Sequence, residues 1–235
     1  PAAFAADLNK TLRVGFVVDV TGFDPQGMSD AYSGYVMRSI FDSAFAYDFL
    51  ARPYKLVPNT AEALPVVTDG GKTFTFKVKK GIFFSPDPAF KGQRRELTAH
   101  DYVYSYKRLL DPKVRSPNMD LLQDRVIGAD ALIDQAKKSG KFDYDAKLEG
   151  LQALDRYTVQ LKLSRPDYNL LDNMTHWAMG AVAREVIEAY GDSGGWAVDR
   201  PVGTGPYLIK EWRKGSKVVL EASPTFREVV FPASS

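Results

Sequence analysis

The sequence predicts an α/β (mixed α+β) fold, because segments with a helical period alternate with segments that have the period of a strand. Thr98–Leu110 carries apolar residues on one helical face, and its first residue forms a capping-box pattern with Asp101. Thr158–Leu163 alternates polar and apolar side chains, as half-buried strands do. Tyr207–Glu221 contains two strand-like runs joined by the basic turn Arg213–Ser216, which predicts a β-hairpin.

Three further elements are predicted in the first half of the chain. Thr11–Val20 is β-branched and apolar, which predicts a buried strand, and the turn Gly22–Pro25 ends it. Ala31–Tyr47 has apolar residues at helical spacing and predicts a helix. Asp69–Gly71 is a turn signal that precedes Phe74–Val78, a predicted strand with one wet face.

The second half of the chain predicts more helices and one glycine-rich corner. Gly203 and Gly205 are expected to be architectural, because glycine permits tight packing. Tyr207 and Trp212 are expected in the core. Ser116–Lys141 has no clear period, so it predicts no element. The remaining predictions are helices at Tyr144–Leu154, Tyr168–Thr175 and Arg184–Tyr190, with an extended stretch at Ala178–Ala183.

Composition excludes several classes of protein. The 235 residues carry 31 basic and 29 acidic side chains, and this balance gives no reason to expect nucleic acid or an anionic membrane surface. The chain has no cysteine, which excludes disulfides and thiolate metal sites. No apolar run approaches the ~20 residues of a membrane helix. Pro1–Asp7 is small and apolar, as is the end of a signal peptide around its cleavage site.

No catalytic motif is present in the sequence. The chain has two histidines, His100 and His176, and neither a Gly-x-Ser-x-Gly elbow nor a His-Glu-x-x-His helix. A hydrolase that uses paired carboxylates stays open as an alternative, because two carboxylates need only meet in space. No residue is assigned a catalytic role.

A series of short motifs follows one another in a fixed order along the chain. The most specific is Asp69–Gly81, which reads DGGKTFTFKVKKG. The series resembles family 5 of the extracellular solute-binding proteins, the peptide- and nickel-binding receptors of ABC importers. The loop Ser85–Glu96 is longer and more basic than in that family, which suggests a distinct subgroup. The other motifs are Phe23–Pro25, Ile40–Asp42, Ala61–Leu64, Leu97–Asp101, Tyr104–Arg108, Tyr157–Leu163 and Pro201–Trp212.

The resemblance implies the first lobe of a bilobed receptor of the periplasmic binding protein type II-like kind. Residues 1–45 and 166–235 are then the two parts of lobe one, and residues 46–165 are an inserted smaller subdomain. The second lobe, which closes on the ligand, is expected to be absent from these 235 residues.

The resemblance also implies the function and the ligand-binding residues. It implies periplasmic capture of peptides or related small solutes for delivery to a membrane permease, without a cofactor. The ligand-binding candidates are Val20, Thr21, Gly22 and Phe23, which match the strand-addition segment of the family, and His176 and Trp177, which match a cleft wall. His176 leaves a metal-chelate ligand open, but no protein metal site is predicted. The alternative from another class is a docking module for a protein partner.

Overall fold

The computed structural model describes residues 10–191 and 201–229 and confirms the mixed α/β class. Three short 3₁₀ turns supplement the regular elements, and the predicted signal remnant Pro1–Asp7 lies outside the described residues. In chain order the elements are α1 (Ala31–Ile40), β1 (Phe45–Tyr47), β2 (Leu56–Pro58), β3 (Val66–Thr68), β4 (Thr73–Lys77), α2 (Ala99–Leu110), α3 (Ala129–Ser139), β5 (Leu151–Ala153), β6 (Thr158–Lys162), α4 (Leu170–Asn173), α5 (Arg184–Tyr190), β7 (Tyr207–Arg213) and β8 (Lys217–Ala222).

The largest sheet is a four-stranded antiparallel sheet with the order β3-β4-β6-β5. The predicted turn at Asp69–Gly71 joins β3 to β4, and all three of its residues have positive φ angles. The Thr73 hydroxyl donates to the Asp69 carboxylate at 2.6 Å, which ties the turn to the strand that follows. Phe74 and Phe76 are buried on one face of β4, as the alternation predicts.

Helix α2 packs against β5 and β6, and it begins where the capping box predicts. The backbone N–H and the hydroxyl of Thr98 both donate to one oxygen of Asp101, at 2.7 and 2.9 Å. Arg95 then joins Asp101 to Glu185 of α5, with N–O distances of 2.6 and 2.7 Å. This charged group connects the loop before α2 to α5.

The glycine-rich corner lies against the end of α1. The backbone N–H of Gly205 donates to the Ile40 carbonyl at 2.8 Å. A Cβ atom on Gly203 would lie 2.0 Å from the same oxygen, and one on Gly205 would lie 2.7 Å from it. The architectural role predicted for both glycines is confirmed, and its cause is close packing of backbone on backbone.

The predicted hairpin is confirmed as β7–β8, but one prediction about its side chains is wrong. Trp212 is half-buried and packs edge-on against Phe23, with ring centroids 4.9 Å apart. Tyr207 was expected in the core and is 44% exposed instead. It is the first residue of β7, at the end of the hairpin opposite its turn.

The strand predicted at Thr11–Val20 is wrong. The segment pairs with no strand among the described residues, and Leu12 and Val17 are 85% and 89% exposed. An apolar, β-branched run favours an extended backbone, but a strand also needs a neighbour whose N–H and C=O groups complete the ladder. Only Val20, at the end of the segment, enters the core.

Three helix predictions need correction. The helix predicted at Ala31–Tyr47 ends at Ile40, because Phe41 is extended and β1 pairs with β2. Tyr144–Leu154 is not helical, since its last residues form β5 beside β6. Tyr168–Thr175 shortens to α4, whereas Arg184–Tyr190 is confirmed as α5. Helix α3 lies in the stretch for which no element was predicted.

Candidate functional site

The first group of predicted ligand residues lies against the N-terminus of α1. Asp30 caps this helix by accepting from the Ser33 N–H at 2.8 Å, and its other oxygen accepts from the Thr21 hydroxyl. The Thr21 N–H donates to the Ser33 hydroxyl at 2.9 Å. Burial alone would raise the pKa of Asp30, but the hydrogen bonds from Thr21 and Ser33 outweigh it and lower that pKa. An ionised Asp30 therefore holds the segment on the helix.

The four residues of this segment differ in what they can offer a ligand. Val20 and Phe23 are buried side chains of the core, so only their backbone groups are available. Gly22 is buried, and a Cβ there would lie 3.3 Å from the sulfur of Met28. Thr21 is exposed to solvent.

The second predicted group, His176 and Trp177, packs against α1 through the Trp177 ring, which contacts Gly34 and Arg38. The Trp177 ring covers Gly34, where a Cβ would approach ring atoms to 3.0 Å. The Arg38 guanidinium lies 5.3 Å from the centre of that ring, a cation–π contact. Because Ser33 and Gly34 are adjacent in sequence, the two predicted groups contact neighbouring positions of α1, about 100° apart around the helix.

Gln26 fastens the two groups to each other. Its side-chain amide is buried and donates to the carbonyls of Ala178 and Gly180, both at 3.1 Å. The loop after Phe23 is therefore bonded to the backbone that follows Trp177. This link joins residues more than 150 positions apart, and no local sequence pattern indicates it.

His176 has a defined hydrogen-bonding state in this arrangement. Its Nδ1 atom accepts from the Ala178 N–H at 3.2 Å, so a neutral ring carries its proton on Nε2. Burial lowers the pKa of His176, and the positive charge of Arg38 lowers it further. At neutral pH the ring is therefore an uncharged N–H donor.

We expect the His176 ring to titrate below the usual value of about 6.5 in an NMR pH titration. Arg38→Gln should move that pKa upward, because it removes one of the two lowering effects. Since the folded pKa is depressed, the unfolded state binds more protons as the pH falls through 6.5, so the stability from neutral His176 is lost on acidification. A His176 pKa above 6.5, or one unchanged in Arg38→Gln, would contradict this geometry.

An aromatic cluster beside α1 was not among the predicted site residues. The ring centroids of Phe16 and Tyr32 are 5.0 Å apart, and those of Tyr32 and Tyr35 are 6.2 Å apart. Tyr35 lies within the predicted helix Ala31–Tyr47 and is 61% exposed. The i,i+3 spacing of the two tyrosines could have indicated a shared face, but it does not indicate whether that face is wet.

Residues 10–191 and 201–229 contain neither a cluster of metal-ligating side chains nor a membrane-spanning helix. No group of three or more histidine, aspartate and glutamate side chains in these ranges is placed to hold a metal ion. No helix in the same ranges has the length and apolar composition needed to cross a membrane. The candidate site combines the exposed rings of Phe16 and Tyr35 with the exposed side chains of Arg38 and Thr21. His176 and Trp177, which complete it, are half-buried.

A family model described as bacterial extracellular solute-binding proteins, family 5 middle, matches residues 55–230. The chain belongs to this family. The resemblance found in the sequence motifs is therefore confirmed. The prediction that the chain is not an enzyme is confirmed as well, because the family and the relatives found are substrate-binding proteins.

The relatives of this solute-binding protein include receptors named for peptides. The periplasmic oligopeptide-binding protein OppA of Escherichia coli K12 is 26% identical over 228 residues, which cover 96% of this chain and 38% of the relative. Di/tripeptide-binding protein 2 of Pseudomonas aeruginosa is 27% identical over 222 residues, which cover 92% and 38%. The chain spans a little over a third of the length of these relatives.

A solved structure supports the same fold. The crystal structure of Haemophilus influenzae OppA in complex with the peptide RPPGFSPFR superposes with a TM-score of 0.73 at 27% identity. The match covers 88% of this chain and 37% of that chain. The prediction that the chain has the fold of one lobe of a periplasmic binding protein is therefore confirmed, since it matches part of this larger structure.

Proposed function

We propose that this chain is the substrate-binding component of an ABC importer and that it captures peptides in the periplasm for delivery to a membrane permease. The observation that carries the proposal is the match to OppA with a bound peptide, at a TM-score of 0.73 over 88% of the chain. Family membership over residues 55–230 and the periplasmic relatives support it.

The face around α1 offers the contacts that a peptide needs. Phe16, Tyr35 and Trp177 provide aromatic surface for apolar side chains. The Nε2–H of His176 can donate to a peptide carbonyl or carboxylate. We propose that Val20, Thr21, Gly22 and Phe23 contribute backbone groups by strand addition, while His176 and Trp177 contact ligand side chains.

We further propose the division into residues 1–45, 46–165 and 166–235. In support, the four-stranded sheet lies wholly inside the middle range. The hairpin β7–β8 of the last range contacts α1 of the first. A ligand held on α1 would be enclosed by hinge closure of a second lobe from outside these residues.

The proposal is tested by titrating the chain with a panel of di- to nonapeptides while following intrinsic tryptophan fluorescence and thermal stability. A bound peptide should stabilise the folded state by roughly 2.7 kcal/mol at a hundredfold excess over Kd. Trp177→Ala should weaken binding at least tenfold because it removes the aromatic surface proposed to contact ligand side chains. Tyr168→Ala, at a distant and 86% exposed ring, is the matched control and should not.

Two results would argue against this function. If peptides at concentrations up to several millimolar change neither fluorescence nor thermal stability, this chain does not bind peptides. If Trp177→Ala and Tyr168→Ala weaken peptide binding equally, the chain binds peptides but not at the proposed site on α1.

A further inference from the structure

A surface cavity of about 310 Å³ lies where α2 and α3 end. Four cationic side chains line it: Lys113, Arg115, Lys137 and Lys141. Its apolar floor includes the buried side chains of Ala136 and Phe142. The whole chain carries a net charge of only +2, so this local accumulation of positive charge is not a consequence of overall composition.

Two acidic groups in or near the cavity, Asp111 and Asp145, are already bonded to other groups. Asp111 is the acidic side chain in the lining, and it is 2% exposed. Its two oxygens accept from the Tyr144 hydroxyl at 2.7 Å and from the Lys113 backbone N–H at 2.8 Å. Asp145, which lies near Lys141, is bonded to both terminal nitrogens of Arg184.

The four cations make no ion pair within the part of the chain that the structure describes. All four are exposed, so their charges are turned toward solvent at the cavity mouth. Placing like charges around one concave site is unfavourable unless something compensates them. The compensating negative charge can come from nearby groups of the protein or from a bound anion.

The C-termini of α2 and α3 supply only part of this negative charge. Helix α2 ends at Leu110 and α3 at Ser139, and each C-terminus acts as roughly half a negative charge. Together with Asp111 these ends offset about half of the four positive charges. Lys137 lies in the last turn of α3 and is explained by its dipole, whereas Lys113, Arg115 and Lys141 lie beyond the helix ends.

The loop holds these two cations in a fixed turn. The Val114 N–H donates to the Asp111 carbonyl at 3.1 Å, and the Lys113 N–H is bonded to the Asp111 side chain. Arg115 has a φ of 52°, in the left-handed region that non-glycine residues rarely adopt. Asp69, Lys91 and Asp124 adopt the same backbone region, so the turn fixes the position of Arg115 but does not by itself mark a binding site.

We propose that this cavity binds a phosphate-bearing anion. A phosphate group carries up to two negative charges and several acceptor oxygens, which matches a ring of lysine ammonium groups and one arginine fork. The volume suits a small phosphorylated solute or a phospholipid headgroup and is too small for an extended peptide. The proposal is independent of the peptide site on α1, because no residue is shared.

The test measures binding of inorganic phosphate and pyrophosphate by titration calorimetry, and binding of phosphatidylglycerol vesicles by co-sedimentation, with phosphatidylcholine vesicles as the neutral reference. The cavity variant Lys113→Ser/Arg115→Ser should weaken binding at least tenfold. The control variant Lys10→Ser/Lys72→Ser removes the same charge from exposed positions outside the cavity and should stay within twofold. Thermal unfolding of both variants verifies that each is folded.

Each result has a defined meaning. Phosphate binding that only the cavity variant loses, without vesicle binding, identifies a free phosphorylated anion. Vesicle binding that phosphate displaces and that only the cavity variant loses identifies a lipid headgroup. If neither phosphate, pyrophosphate nor phosphatidylglycerol binds at low millimolar concentration and about 50 mM salt, or if both variants weaken binding equally, the proposal is overturned.

Discussion

Asp42→Ala is expected to lower the free energy of unfolding by about 3 to 5 kcal/mol, because it breaks a largely buried ion pair. The Asp42 carboxylate accepts from Arg227 at 2.7 Å, from the Thr204 hydroxyl at 2.9 Å and from the Asn59 amide at 3.0 Å. These residues come from three distant parts of the chain. Removing the carboxylate would leave the Arg227 guanidinium, whose side chain is only 18% exposed, without its counter-charge.

Urea unfolding measured by circular dichroism would determine the effect, which corresponds to a fall in the melting temperature of roughly 10 °C. Arg227→Ala should cost less, because Thr204 and Asn59 still donate to the carboxylate. The double variant Asp42→Ala/Arg227→Ala should be less destabilised than the sum of the two single variants. Strict additivity would show that the two side chains do not interact in solution.

A control variant distinguishes the loss of this hydrogen-bonded network from the loss of an acidic side chain in general. Asp134 lies on the exposed face of α3, and Asp134→Ala should change stability by less than about 0.5 kcal/mol. If both alanine variants behaved alike, burial of the Asp42 group would not be the cause of its effect.

The elements that the sequence predicts correctly are those whose signals are local. Helix α2 has its capping box and its apolar face within thirteen residues, and the hairpin β7–β8 has both strands and its turn within sixteen. In each case the residues that stabilise the element are close in sequence. Their periods and turn residues are therefore sufficient to predict them.

The wrong predictions depend on contacts between distant residues. Thr11–Val20 has strand composition, yet its pairing partner cannot be inferred from the segment itself. Tyr144–Leu154 has helical spacing, but the buried ammonium of Lys107 binds the carbonyls of Tyr144 and Ala146 at 2.8 and 2.7 Å. Those carbonyls are then held in a loop, and Leu151–Ala153 pairs with β6 instead.

The candidate site likewise has features that the sequence indicates and features that depend on contacts between distant residues. His176 and Trp177 are predicted from the sequence because they match a cleft wall in the family that the chain resembles. The position of the Trp177 ring over Gly34 depends on the tertiary fold, as does the bond from Gln26 to the Ala178 carbonyl. The exposure of Tyr35 likewise depends on which neighbours cover that side of α1.

Gly203→Ala is expected to destabilise the protein by about 3 kcal/mol or more, because no side-chain movement can accommodate the added methyl group. A Cβ at this position would lie 2.0 Å from the Ile40 carbonyl oxygen and 2.7 Å from the carbonyl carbon. Both atoms are backbone atoms at the end of α1. The same oxygen accepts the Gly205 N–H, so the corner would have to move away and lose that bond.

The comparison with Gly15→Ala isolates the steric cause. A Cβ on Gly15 would meet nothing within 4 Å, so alanine there should change stability little. Neither glycine has a φ in the left-handed region, and backbone freedom therefore does not distinguish the two sites. Urea unfolding of both variants gives the difference directly, and soluble yield replaces it if Gly203→Ala does not fold. If Gly203→Ala stayed within about 1 kcal/mol of the wild type, the close contact between this corner and α1 would not exist in solution.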